Sequence, residues 1–352
     1  MREKKTFAER KLPSRNREAR RKYFLVYEGK NTEAIYFDAV IAHREEIGIN
    51  PLIELVPVIR SYSEEDWSNP KKILDRVELN LLEAEEGFVS YETLLNRFME
   101  YLCDEGIIRN NRTASRTVWN ILLSLLRNEL YVRLEEKVED VEAVCSQIFD
   151  YLSLHSEWKG IVDNVETLLD EHRGIMYEKG FDRICFIFDR DRDSFLSCDG
   201  NNQYEYVLGK CRDCGYGFYI SNPCFEFWLL MHFDEVRNLD FDMIRENTRV
   251  SSRRSYTENE LRKLLPGYTK SKYRADTLMC MIDRAVANEK LFCENEDELE
   301  HCIGSRVGLL FEELMVLGKL LREYLRITAL RQSMLTSLLA AGYLKKQTKC
   351  KS

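Results

Sequence analysis

The sequence predicts an α/β fold in which a mostly parallel sheet is flanked by helices. Three short, strongly apolar runs at residues 23–27, 183–188 and 217–220 have the composition of buried strands. Each run precedes a helical pattern, and strands that alternate with helices are typical of parallel sheets. A fourth strand is predicted at 52–59, at the sheet edge because Pro57 cannot donate a hydrogen bond.

Composition shifts divide the chain into five predicted parts. Two of them, residues 22–87 and 180–240, form the α/β domain, and an all-helical insertion at 88–179 separates them. Residues 1–21 are predicted as a basic flexible tail, and residues 241–352 as a helical C-terminal region.

Three helix starts follow from capping chemistry. Thr32 is predicted to cap the first helix, and Pro70 to lie in the first turn of a helix at 70–86. A helix at 224–233 is predicted to carry Pro223 in its first turn, with Ser221 or Asn222 as its cap.

The composition is that of a globular protein with an ample core. Of the 352 residues, 44% are hydrophobic and 32% are charged, and no uncharged apolar run is long enough to span a membrane. The N-terminus also lacks the apolar stretch of a secretory signal. The eleven cysteines are odd in number and irregularly spaced, which argues against a disulfide framework and predicts a reducing cytoplasm.

One Cys-x-x-Cys pair, Cys211 and Cys214, has the spacing found in zinc sites. A zinc site needs further ligands, for which Cys198, Cys224 and His232 are the nearby candidates. The alternative is that these are ordinary, partly buried thiols.

Charge is unevenly distributed along the chain. The net charge is −8, yet residues 1–22 contain ten Lys or Arg against three Glu. A basic tail on an acidic body is typical of proteins that contact a polyanion such as nucleic acid, although a solvated tail has the same composition. Lys270, Lys272 and Arg274 form a smaller basic cluster that either contacts phosphates or belongs to a solvated loop.

The predicted strands end in polar side chains, which indicates a site at one edge of the sheet. Glu28 follows the first strand, Asp189 and Asp191 follow the second, and Ser221 and Asn222 follow the third. In parallel α/β sheets, ligand sites lie beyond the carboxyl ends of the strands. Carboxylate oxygens are the ligands that Mg²⁺ or Mn²⁺ prefers, so the pattern predicts a metal site suited to cleaving phosphodiester bonds.

Alternation along an extended chain places Asp189 and Asp191 on the same side, and Asp193 continues that pattern as a further metal ligand. The alternative is a turn in which Arg190 and Arg192 pair with these aspartates.

Other polar residues are predicted to border this site. Glu28 would ligate the metal or act as general acid/base. Glu226 either borders the site or stabilises the start of its own helix through the helix dipole. Asn222, Lys270 and Lys272 are further border candidates.

The segments at 27–37, 188–191 and 220–233 resemble the RloB family, and 266–270 resembles its later segment. The resemblance covers residues 22–80 and 180–330. It implies a Toprim-like fold, in which Glu28 is the acid/base and Asp189 and Asp191 bind Mg²⁺. It also implies an antiphage, abortive-infection effector that accompanies an AAA/ABC-type ATPase.

Three functions are compatible with these patterns. The favoured one is a metal-dependent nuclease that acts on DNA or RNA. The patterns are compatible with either a monomer or a homo-oligomer. The second is a non-catalytic subunit that binds an ATPase or nucleic acid, which the insertion and the helical C-terminus fit. The third is an Asp-x-Asp phosphohydrolase of haloacid-dehalogenase type. The chain has no GxxxxGK[ST] loop and is therefore not itself a P-loop ATPase.

Overall fold

The computed structural model describes residues 7–9, 20–29, 31–58, 69–104, 112–155, 175–190, 195, 203–252 and 254–315. The elements up to residue 155 are β1 (Phe7–Glu9), β2 (Arg21–Tyr27), α1 (Thr32–Ala42), α2 (Arg44–Ile47), β3 (Ile53–Val58), α3 (Pro70–Glu86), α4 (Tyr91–Asp104), α5 (Arg112–Leu125), a π-helical turn (Leu126–Leu130) and α6 (Val141–His155).

The elements after residue 155 complete the sheet and form the C-terminal region. They are β4 (Ile175–Tyr177), β5 (Arg183–Asp189), α7 (Tyr204–Cys214), β6 (Gly217–Asn222), α8 (Phe225–Leu230), a 3₁₀ turn (Asp234–Asn238), α9 (Phe241–Glu246), β7 (Arg249–Ser251), β8 (Arg254–Ser255), α10 (Tyr256–Leu264), α11 (Asp276–Met279), α12 (Ile282–Glu289), β9 (Gly304–Ser305) and α13 (residues 307–315).

The central sheet has five strands in the order β3-β2-β5-β6-β9. Neighbours among the first four are parallel, and β9 runs antiparallel to β6. Tyr27 is in register with Ile187, and Asp189 with Ser221, so β2, β5 and β6 end side by side. This confirms the predicted α/β fold, and β3 lies at the edge as Pro57 predicted.

Buried apolar side chains cover both faces of the sheet. Side chains alternate along a strand, so Leu25 and Cys185 enter one buried cluster, which includes residues of α1 and α8. Phe24 and Phe186 enter the other, which includes residues of α3 and α7. Burying one such side chain contributes roughly 1.5–3 kcal/mol, and this two-sided burial explains why the strands are apolar throughout.

The helices α4, α5 and α6 have an apolar core of their own, in which Phe98, Leu122 and Ile148 are completely buried. The insertion differs from the all-helical prediction at its end, where Ile175–Tyr177 forms β4. This strand pairs in parallel with β1, which lies in the predicted flexible tail. The pairing joins segments far apart along the chain, so local composition does not reveal it.

The C-terminal region is largely helical, as predicted, but it also contains three short strands. β7 and β8 form an antiparallel hairpin, and β9 joins the central sheet. Strands of two or three residues are too short for a periodic signal. The predicted helical stretch beyond residue 315 lies outside the described residues. None of the helices in the described ranges combines the length and apolarity needed to cross a membrane.

Candidate active site

Glu28 and Asp189 meet at the carboxyl edge of the central sheet. Glu28 directly follows β2 and is 9% exposed, and Asp189 is the last residue of the adjacent strand β5. The backbone N–H of Asp189 donates to Oε2 of Glu28 over 3.0 Å. The structure therefore brings two of the predicted carboxylates together. Asp191 and Asp193, the other predicted ligands, lie outside the described residues.

Asp189 also fixes the start of α8. Its Oδ1 accepts a hydrogen bond from the backbone N–H of Phe225 over 2.8 Å. The first N–H groups of a helix have no partner within the helix and carry partial positive charge, so a carboxylate satisfies them well. A side chain from β5 thus holds the helix that follows β6.

The predicted N-caps are wrong. The N-cap of α8 is Cys224, in extended backbone and without a side-chain cap, so neither Ser221 nor Asn222 takes this role. Pro223 precedes the cap instead of lying in the first turn. Thr32 is likewise the first residue of α1 and not its cap. The physical reason at α8 is that a carboxylate from the neighbouring strand already satisfies the free N–H group. By contrast, α3 begins at Pro70 as predicted.

Glu33 is a third carboxylate at this edge, and the sequence patterns did not lead us to predict it. It lies in the first turn of α1, is 4% exposed, and accepts a hydrogen bond from the N–H of Gly29 over 3.2 Å. Burial, reinforced by repulsion from Glu226, raises the pKa of Glu33 to about 7. The missed signal was an acidic residue in the first helical turn after a strand end, the same placement that singled out Glu226.

Glu226 is nearly fully buried, at 1% exposed, and its side-chain partners belong to the C-terminal region. Tyr268 donates its hydroxyl to Oε1 of Glu226 over 2.9 Å. The Nζ of Lys270 lies 3.4 Å from the same oxygen and 3.3 Å from Oε1 of Glu258. The predicted border residues Glu226 and Lys270 are therefore paired, whereas Lys272 is exposed and forms no side-chain ion pair among the described residues.

Four carboxylates and one ammonium group determine the electrostatics of this edge. Burial raises the pKa of Asp189 well above its usual range, and repulsion from Glu33, Glu28 and Glu226 adds to this, while Lys270 opposes it. Burial lowers the pKa of Lys270, but attraction to Glu226 and to other anionic neighbours outweighs it and raises that pKa. The excess negative charge is of the kind that a divalent cation neutralises.

The donor chemistry at this edge fits Mg²⁺ or Mn²⁺, since both accept carboxylate oxygens. Within the described part of the chain, no three His, Cys, Asp or Glu side chains are already arranged to hold a metal ion. Glu28 and Asp189 supply a pair of carboxylates. A complete set of ligands would draw on residues such as Asp191 or Asp193, which lie outside that part.

A cavity of about 1080 Å³ lies beside Asp189. Asn222, Glu258 and Lys270 also line it, so the predicted border residues Asn222 and Lys270 both face this space. The side-chain amide of Asn222 donates to the carbonyl of Leu299 over 2.7 Å, which fixes Asn222 in the cavity wall. The site is therefore accessible from the side of the C-terminal region.

A family model described as RloB-like protein matches residues 127–314, slightly more than half of the chain. The chain belongs to the RloB-like family. No curated protein and no solved structure matches it. The match confirms the family that the sequence motifs resemble, although its range differs from the predicted 22–80 and 180–330. Asp189, Glu226 and Lys270 lie inside the match, whereas Glu28 and Glu33 precede it.

The cysteine pair of this RloB-like chain forms no metal cluster among the described residues. Cys211 is buried in α7, and Cys214 is exposed at its end. Among the candidate partners, Cys198 lies outside the described residues, and His232 has its Nε2 3.0 Å from the hydroxyl of Tyr36. Burial lowers the pKa of His232 to about 4. His232 is thus a neutral, hydrogen-bonded residue of the core.

Proposed function

We propose that this RloB-like chain is a nuclease that uses Mg²⁺ or Mn²⁺ to cleave phosphodiester bonds of nucleic acid. The observation that carries the proposal is the pair of Glu28 and Asp189 at the ends of adjacent parallel strands, joined by a 3.0 Å hydrogen bond. Ligands bind at this edge in open parallel sheets. The raised pKa of Asp189 supports it further, because perturbed carboxylates cluster at functional sites.

In this proposal Asp189, Asp191 and Asp193 hold the metal, and Glu28 is a ligand or the general acid/base. When bound, the metal would neutralise phosphate charge and lower the pKa of an attacking water. The chain's own contribution is orientation. The N–H of Phe225 fixes Asp189, and the N–H of Asp189 in turn fixes Glu28. Backbone donors on rigid elements therefore set the directions of both carboxylates.

The biological setting that we propose is antiphage defence by abortive infection in the cytoplasm, with an AAA/ABC-type ATPase as a partner that restrains the nuclease. The second candidate function is a non-catalytic subunit that binds such a partner. It is compatible with the separate apolar core of α4, α5 and α6, which makes the insertion a structural unit distinct from the sheet.

The test is cleavage by the purified full chain with Mg²⁺ or Mn²⁺, using plasmid, single-stranded DNA and total tRNA. We expect cleavage of at least one substrate, and a loss of roughly 100-fold or more in the Glu28→Gln and Asp189→Asn variants. Glu205→Gln and Asp213→Asn are matched controls, since both residues are exposed on α7. We expect both controls to cleave at the wild-type rate.

Cleavage by the Glu28→Gln and Asp189→Asn variants at the wild-type rate would rule out this site. If the wild-type chain cleaves no nucleic acid, with or without a cognate ATPase, the result favours the non-catalytic subunit. Hydrolysis of p-nitrophenyl phosphate without cleavage of nucleic acid would instead favour an Asp-x-Asp phosphohydrolase.

A further inference from the structure

The cavity beside Asp189 is basic although the chain as a whole is acidic. Six of its described lining residues are Lys or Arg and four are Asp or Glu, whereas the full sequence has 60 acidic and 52 basic residues. The hairpin of β7 and β8, together with α10, supplies much of this positive charge. Local charge of opposite sign to the net charge indicates an anionic ligand.

The cations nearest the carboxylates are already engaged. An Nη of Arg190 lies 3.3 Å from Glu300, and both side chains are largely buried, at 13% and 10% exposed. Lys270 pairs with Glu226 and Glu258. These ion pairs hold the cavity wall, and their charges are balanced within the protein.

Three other arginines of the lining are exposed and lie outside these ion pairs. Arg249 lies on β7, Arg254 on β8 and Arg262 on α10, and all three are exposed. Across the described ranges, no carboxylate forms an ion pair with any of them. Arg249 and Arg254 lie on paired strands of one hairpin, where Arg249 is opposite Ser255 and Arg254 is opposite Ser251. The register of the hairpin shifts between Arg249 and Ser251, and both arginines line the same cavity.

The described lining also lacks an exposed Phe, Tyr or Trp side chain. Its one residue of these types is Tyr268, which is 3% exposed and bonded to Glu226. Base stacking on aromatic rings is the usual means by which single strands are held through their bases. The cavity instead offers guanidinium groups, which bind phosphate oxygens in a bidentate manner.

We infer that Arg249, Arg254 and Arg262 bind successive phosphates of a polynucleotide whose reacting phosphodiester lies at Asp189. This inference rests on the proposed nuclease function and specifies its substrate class. The substrate is a chain of several phosphates, recognised through its backbone and independently of base sequence, and not a mononucleotide or a phosphomonoester. Phosphate contacts position nucleic acid without reading its bases.

The experiment measures binding of fluorescein-labelled duplex and single-stranded oligonucleotides by fluorescence anisotropy over a series of NaCl concentrations. EDTA is present, so that metal-dependent cleavage does not occur. We compare the wild-type chain with the triple variant Arg249→Gln, Arg254→Gln and Arg262→Gln. Arg116→Gln is the matched control, because Arg116 is an exposed arginine of α5 in the helical insertion.

Each lost phosphate contact reduces the slope of log K against log salt by about 0.9 for duplex DNA and about 0.7 for single strands. We therefore expect the slope of the triple variant to be smaller by about 2 to 3 and its affinity to be weaker at every salt concentration. Two oligonucleotides of unrelated sequence should give the same values. The Arg116→Gln variant should match the wild type.

A folded triple variant with wild-type slope and affinity would overturn the inference, as would wild-type protein that binds neither oligonucleotide. We expect the triple variant to fold, because all three positions are exposed, and circular dichroism checks this. The measurements distinguish a failure of this inference from a failure of the proposed nuclease function. If the arginine substitutions change nothing while Glu28→Gln abolishes cleavage, the inference fails and the nuclease function stands. If the salt slope falls but the wild type cleaves nothing, the arginines bind nucleic acid and the nuclease function fails.

Discussion

Asp189 and Phe225 connect the end of one strand to the start of the helix that follows the next strand, through a 2.8 Å hydrogen bond from the Phe225 N–H to Oδ1 of Asp189. Asp189 is therefore both a structural cap and a proposed metal ligand. A cap requires an acceptor oxygen, whereas Mg²⁺ prefers a negatively charged one. Substitutions that keep the oxygen but remove the charge separate the two roles.

The first prediction concerns Asp189→Asn and Asp189→Ala. Asparagine keeps an acceptor for the Phe225 N–H and removes a charge that Glu33, Glu28 and Glu226 repel. We expect Asp189→Asn to unfold at the wild-type temperature or above it, and Asp189→Ala to lose about 1 kcal/mol with the cap. Both variants should lose metal-dependent cleavage. Thermal unfolding without metal, beside a cleavage assay, measures the two effects.

Equal unfolding temperatures for the asparagine and alanine variants would show that the 2.8 Å hydrogen bond contributes nothing to stability. An active Asp189→Asn variant would show that the charge at this position is not needed for the chemistry.

Strands and their ends were predictable, but contacts between distant segments were not. β2 and β5 are buried on both faces, so their apolar runs stop visibly at Glu28 and Asp189. The ion pair of Lys270 with Glu226 joins two segments whose separation along the chain carries no local pattern. The α8 cap from Asp189 is of the same kind, since it became visible only once β5 and β6 were paired.

The second prediction concerns Gly29, which lies between β2 and α1. A Cβ added at Gly29 would overlap with the carboxylate of Glu33, so that one of the two would have to shift. Because Glu33 is buried, its carboxylate has little space to move aside. We expect Gly29→Ala to cost about 1 kcal/mol or more in the free energy of unfolding, as overpacking does, and to lower cleavage by displacing the neighbouring Glu28.

Gly209→Ala is the control for this substitution. Gly209 lies within α7, and a Cβ there meets no atom within 4 Å. We expect this variant to be more stable than the wild type by about 0.5–1 kcal/mol, because alanine favours a helix interior over glycine. Urea unfolding compares both variants, and a Gly29→Ala protein as stable as wild type would refute the close contact.

The third prediction is a pH dependence of stability due to Glu289. This residue is fully buried at the end of α12 and accepts the N–H of Gly308 over 2.8 Å. Burial raises its pKa from 4.5 to about 7. The folded state therefore binds a proton that the unfolded state releases, so the stabilising contribution is complete below about pH 4.5 and declines as pH rises through 7.

Glu289→Gln mimics the protonated form and has no proton to lose. The difference in unfolding free energy, wild type minus variant, should fall by up to about 3 kcal/mol between acidic and alkaline pH. Urea unfolding of both proteins across this range is the measurement, with the exposed Glu205→Gln as control. A constant difference between wild type and Glu289→Gln would show that folding does not raise the pKa of Glu289.

The fourth prediction concerns the attachment of the helical insertion. Arg76 of α3 donates to Oε2 of Glu92 over 3.1 Å and to the hydroxyl of Thr93 over 2.9 Å, and both charged side chains are almost completely buried. Removing one partner leaves the other charge buried without this ion pair. We expect Arg76→Met to cost about 3–5 kcal/mol, and Arg76→Met with Glu92→Leu to cost much less than the sum of the single variants.

A double-mutant cycle by urea unfolding measures this coupling. The pair of Lys210 and Glu78 serves as comparison, because its side chains are 39% and 25% exposed at 3.2 Å, and an exposed pair should couple by less than about 1 kcal/mol. Additive costs at Arg76 and Glu92 would contradict a buried pair. A large coupling energy would instead show that this buried ion pair stabilises the attachment of α4, the first helix of the insertion, to α3, which packs on the sheet.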